Sequence, residues 1–241
     1  MAKRTTSIGV RLSPVLPPKV PRIPETELIN VIFCKDNKEY LRHSYFWKMN
    51  YLGHLILSGN DKNILLGNFL GDHVSNKTLD QYPLAIQKGI QLHRAIDIFT
   101  DSHPISRELR AVLFDQYRHR SRVILDLFYD HFLAADFSDF HNMPLPDYVD
   151  EVYDILQKQI HLMPDSAKHY FFAMRKYGWL EDYASVDGIR LVLNQMSRRN
   201  QIEPMGLSVQ TLEKHYSFFR ERANHFLHHA ISHFTAEKIK M

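Results

Sequence analysis

The chain has 241 residues, 44% of them apolar and 12% aromatic, and a formal charge of +3. Such a composition excludes a disordered chain, and the mild charge excludes bulk nucleic-acid binding while leaving room for a local basic patch. A lone cysteine, Cys34, excludes a disulfide framework and a thiolate-rich zinc site and suits a reducing, cytoplasmic setting, and no apolar run reaches the roughly 18 residues of a membrane span.

Residues 1–48 stand apart. "RLSPVLPPKVPRIPETE" is too rich in proline for helix or regular sheet, so this part reads as an extended, disordered N-terminal extension, and its basic start lacks the apolar stretch of a secretory signal. From about residue 50 the pattern turns helical. "YLGHLILSG" and "NILLGNFLGDHV" predict two short helices parted by Gly59, Asn60 and Asp61. A helix over 83–101 opens at Pro83, and 105–137 holds one or two more. "PDYVDEVYDILQKQIHLM" repeats at the helical period between Pro146 and Pro164. Helices over 166–178 and 185–199 follow, then a loop at Pro204 and Gly206, then one long helix over 209–237. With nine glycines, no hairpin signal and no repeat, the fold class is all-α, one helical domain behind the proline-rich extension. Four of the fifteen histidines crowd that last helix, where a solvated face explains them better than a metal.

Four segments carry carboxylates or imidazoles at inward positions. In "GIQLHRAIDIFTDSHP", Ile86, Ile90, His93, Asp97 and Asp101 form one line of helical neighbours that begins as core and ends in metal-ligand types. In "VILDLFYDHFLAADF" the circumference is almost wholly apolar, yet Asp126, Asp130 and His131 interrupt it. Asp72 and His54 each sit in an apolar run. A buried carboxylate is costly unless protonated, paired with a cation or bound to a metal. Imidazole with carboxylate and no thiolate suits Mn²⁺, Fe²⁺ or Mg²⁺ better than structural zinc. Taken singly, each residue also fits a core hydrogen bond, a helix end or an ion network.

Arginines accompany these segments: Arg94 next to His93, Arg118, Arg120 and Arg122 before the Asp126 helix, and Arg198 and Arg199 at another helix end. Guanidinium beside a carboxylate-held metal points to phosphoester chemistry, whereas a solvated basic face explains Arg118 and Arg120 equally well. No glycine-rich phosphate loop and no nucleophile elbow is present.

Together "MNYLGHLILS", "LLGNFLGDHV", "GIQLHRAIDIFTDSHP", "RVILDLFYDHFLA" and "VLNQMSRR" resemble the ordered motifs of bacterial acyl carrier protein phosphodiesterases, an all-helical family distantly akin to the HD phosphohydrolases. The resemblance covers the chain from Met49 to about residue 235 and marks 49–241 as the phosphodiesterase domain. It implies a metal-dependent hydrolase, usually supported by Mn²⁺, that removes 4′-phosphopantetheine from holo-acyl carrier protein. By motif position it implies a metal shell drawn from His54, Asp72, His93, Asp126, Asp130 and His131, with Asp97 in range. His93, Asp97 and His131 are the catalytic residues so implied; Arg94, Arg122, Arg198 and Arg199 are expected to meet the acidic protein substrate and its phosphate. Two other functions fit the same residues: a metal phosphohydrolase acting on a nucleotide or small phosphoester, and a non-catalytic helical module that binds carrier protein.

Overall fold

The computed structural model describes residues 51–200 and 204–238, with the side chains of 198–200 and 236–238 outside the described set. The proline-rich extension expected over 1–48 therefore lies outside the described residues. Within them the fold is all-helical, eleven α-helices joined by turns and short 3₁₀ segments and no strand. The first two are short, α1 (Tyr51–Leu57) and α2 (Lys62–Phe69). Asp61 caps α2 by accepting from the backbone N–H groups of Asn63 and Ile64 at 2.8 and 3.1 Å. Next come α3 (Leu84–Ser102), α4 (Pro104–Tyr117) and α5 (Ser121–Ala135). The remainder are α6 (Leu145–Lys158), α7 (Asp165–Tyr177), α8 (Trp179–Asp182), α9 (Val186–Asn200), α10 (Ser208–Lys214) and α11 (Tyr216–Lys238).

Several predicted boundaries shift for identifiable reasons. The stretch 105–137 breaks at Arg118, which takes φ +49° and turns the chain through a 3₁₀ segment into α5. Gly178, at φ +62°, stops α7 in a left-handed cap and admits the short α8 that periodicity alone did not reveal. The single long helix expected over 209–237 is two, parted at His215.

The central element is α5. Its apolar residues Ile124, Leu127, Phe128, Phe132 and Leu133 are fully buried, and α1, α4, α9 and α11 pack around it. At its end Asp136 receives two parallel hydrogen bonds from Arg220, 2.8 and 2.6 Å, and one from Asn224, which pins α11 there. Near its middle the carboxylate of Asp130 accepts from the backbone N–H groups of Leu52 and Gly53, at 3.1 and 2.8 Å. It thus caps α1 from across the fold, satisfying donors that a helix start leaves orphaned.

Helices α2 and α3 approach each other backbone to backbone. A Cβ on Gly67 would strike the Ile86 carbonyl and stand 2.7 Å from the Gly89 Cα; a Cβ on Gly89 would strike the Ile64 carbonyl. Only glycine on both sides lets the backbones touch there. Gly89→Ala should therefore cost about 3 kcal/mol in urea unfolding, the upper range for overpacking. Burial pushes the Asp130 carboxyl up to about 8, against the pull of its two N–H donors. A folded-state value above the unfolded one means that the native state holds the proton more tightly. The associated stability is complete below the unfolded value and is lost as pH rises through about 8. The melting temperature of the metal-free chain should fall as pH rises toward about 8 and level off above it, and Asp130→Asn, which has no proton to lose, should flatten that dependence.

Candidate metal centre

The close crossing of α2 and α3 places Asn68 between two histidines. Asn68 is fully buried. Its side-chain amide donates to the His54 carbonyl at 2.6 Å and to Ser58 Oγ at 2.9 Å, which fixes the amide oxygen toward His54 Nδ1 at 3.0 Å. Its backbone carbonyl lies 2.9 Å from His93 Nδ1. Both acceptors are oxygens without a proton, so each imidazole carries its hydrogen on Nδ1 and presents a bare Nε2. The two rings stack with centroids 4.0 Å apart and planes inclined by 20°.

Those Nε2 atoms meet carboxylates. His54 Nε2 is buried, makes no hydrogen bond among the described residues, and lies 3.4 Å from Asp97 Oδ1. His93 Nε2 lies 3.3 Å from Asp72 Oδ1 and 3.6 Å from Asp97 Oδ2. Ligand atoms of His54, His93 and Asp97 fall within 4.8 Å of one another, the only such group of metal-ligating types among the described residues. Asp72, from the turn that ends α2, stands beside it. Burial holds the His54 pKa below the ordinary histidine range, the neighbouring His93 adds to this, and Asp97 opposes it. Two imidazoles and Asp97 around one point, with the Asp72 carboxylate beside them, form a donor set that suits a divalent cation.

The remaining expected site residues stand elsewhere, and their bonds give the reason. Asp130 is committed to the start of α1. His131, one residue on, turns to another face, where Nδ1 donates to the Tyr183 carbonyl at 2.9 Å and Nε2 faces the Tyr216 hydroxyl at 3.0 Å. Both ring nitrogens are thus engaged away from the imidazole pair. Asp126 is half-buried a turn before Asp130, where its charge bears on the Tyr129 phenol rather than on the imidazole pair. Arg94 is held by the Asn76 side chain and the Val74 carbonyl, so it braces the segment after Asp72 instead of facing the centre. Arg122 is exposed and pairs with Asp101 at 3.4 Å. The side chains of Arg198 and Arg199 lie outside the described residues.

Sequence reasoning missed Asn68, which links both histidines. Its signal was an amide inside the apolar run "LLGNFLGD". It also missed His73, whose ring lies 3.2 Å from Ser166 Oγ and 3.4 Å from the Tyr51 hydroxyl and so anchors the residue after Asp72. The histidines of the last helix are not purely solvated: His229 Nδ1 pairs with His103 Nε2 at 2.9 Å, and His233 stacks on Phe99.

Comparison with known proteins agrees with this architecture of motifs. The sequence model described as "Acyl carrier protein phosphodiesterase" matches residues 49–230. Relatives of that name include proteins from Photorhabdus laumondii, 30% identical over 71% of this chain and 87% of the relative, and Yersinia pestis, 34% identical over 70% and 88%. Another, from an Enterobacter species, is 33% identical over 72% of this chain and 91% of its own length. No solved structure matches the chain. The motifs, the helical fold and these matches agree: the chain belongs to the acyl carrier protein phosphodiesterase family.

Proposed function

We propose that this chain is a metal-dependent phosphodiesterase that hydrolyses the 4′-phosphopantetheine arm from holo-acyl carrier protein, leaving apo-protein with a free serine. The observation that carries the reading is the convergence of two buried imidazole Nε2 atoms on Asp97, with Asp72 alongside. His54, Asp72, His93 and Asp97 would hold one divalent cation, Mn²⁺ by preference, with Fe²⁺ or Mg²⁺ as substitutes. Once bound, such a cation supplies a water ionisable near neutral pH and positive charge for the phosphoryl oxygens.

The chain's own residues do the rest. Asn68 locks both tautomers, so no reorientation is needed when a ligand arrives. Asp130 seats α1 and with it His54, two residues along from the first capped N–H. Arg94 braces the segment that follows Asp72. In the reaction a water oxygen joins phosphorus, the bond from phosphorus to the serine oxygen breaks, and that oxygen leaves with a proton. In this reading the protein acts in the cytoplasm, in keeping with its single cysteine. No helix among the described residues is long and apolar enough to cross a membrane.

The test is purified full-length chain with Mn²⁺ and holo-acyl carrier protein, read by intact mass. His54→Ala, His93→Ala and Asp97→Ala should each lower turnover by at least about a hundredfold, the scale for disturbing a metal shell, and weaken Mn²⁺ binding while helical circular dichroism persists. His131→Ala should keep its metal affinity, because its ring bonds Tyr183 and Tyr216 instead. Undiminished Mn²⁺ binding in His93→Ala would overturn the ligand assignment. Since burial keeps His54 neutral below the usual range, calorimetric Mn²⁺ affinity should change little between pH 7.5 and 6.5.

A further inference from the structure

A cleft of about 460 Å³ opens between α4 and the start of α5, and its walls are basic. Arg107, Arg110, Arg118 and Arg122 line it against Asp115, with Phe114 between them. Arg110 and Arg122 both bond Asp101, at 3.0 and 3.4 Å. Arg107 donates only to the Ser102 carbonyl, and Arg118 lies 5.5 Å over the Phe114 ring; neither forms an ion pair among the described residues. Four guanidinium groups thus face two carboxylates, and the surplus positive charge sits on an open surface.

Two further observations point to a partner. Arg118 is the only non-glycine residue at positive φ among the described residues, a conformation that persists where the surroundings impose it. Here the Ser121 hydroxyl, donating to the Arg118 carbonyl at 2.6 Å, and the Phe114 ring hold the turn that closes the cleft. The second is position. Asp101 lies one turn beyond Asp97 on the same line of α3, about 6 Å along the axis, and it pairs with two of the arginines that line the cleft.

Given the function proposed above, on which this inference rests, we infer that the cleft is the docking surface for a carboxylate-bearing face of the protein that carries the phosphodiester. One phosphodiester brings a single negative charge, and the metal centre receives it; arginines spread from 107 to 122 match several carboxylates spaced along a protein surface. Phe114, 44% exposed, and Ile98, 70% exposed and three residues before Asp101, add apolar anchors. Arginine with aromatic side chains is the composition of protein interfaces rather than of a solvated face.

The experiment uses the full-length chain loaded with Mn²⁺ and the double variant Arg107→Glu/Arg118→Glu, with Arg107→Gln/Arg118→Gln in its place if the first fails to fold. Hydrolysis is measured on holo-acyl carrier protein and on bis(p-nitrophenyl) phosphate at low and high salt. Binding to apo-acyl carrier protein, which has no bond to cleave, is measured alongside. The variant should lose about tenfold in kcat/KM on the protein substrate at low salt, through KM, and the loss should shrink to about twofold at high salt. The small diester should be cleaved as before. Equal losses on both substrates, or none on either, would overturn the docking assignment while leaving the activity standing. If the unaltered chain does not cleave holo-protein, the proposed function fails; the docking surface then stands if apo-protein binding is lost in the variant, and falls if neither form binds.

Discussion

The backbone contact between Gly67 and Gly89 is the constraint on which the rest of the centre depends. Two helices without side chains at their crossing can bring the Asn68 carbonyl within reach of His93, while the Asn68 side chain holds His54 on α1. A wider spacing would leave the Asn68 carbonyl unable to orient the His93 ring, and the second imidazole would be free to rotate. Packing and chemistry are therefore set at the same point, and a backbone contact that admits only glycine also fixes which His93 nitrogen faces the carboxylates.

The polar groups in this region form two separate systems. Around Asn68 every donor and acceptor of the side chain is used, in a network whose low-dielectric surroundings strengthen each bond. Around Asp130 a buried carboxyl serves one helix terminus, and burial shifts its titration toward neutrality. The first system holds the two imidazoles and the second holds the helix that carries His54. A carboxyl in an apolar helix is thus accommodated by two backbone amides that it caps and by a raised affinity for its own proton.

The sequence made the helical fold legible because apolar periodicity survives in every long element, and it made His93 and Asp97 legible because they continue the Ile86–Ile90 line on α3. His54 and Asp72 stood out as polar interruptions of apolar runs. What periodicity could not supply was the direction of neighbouring residues on one helix. Asp130 and His131 are adjacent in "YDHF", so their side chains diverge by about 100°, and two different partners received them. The break at Arg118 was equally hidden, since nothing in "YRHRSR" favours positive φ; the cleft it closes belongs to tertiary structure. Asn68 was passed over because an amide in an apolar run has no periodic signature.

The cap of α1 has a consequence for how the protein is made. Gly53 and Asp130 are 77 positions apart, so α1 leaves the ribosome long before its capping carboxylate does. A seven-residue helix with an orphaned start does not persist alone in water. During synthesis, His93 and Asp97 emerge and can settle on α2 while His54 is still on an unanchored segment. His54 therefore takes its place only when α5 has joined the core, and a nascent chain cannot complete the cluster of His54, His93 and Asp97 until Asp130 has emerged.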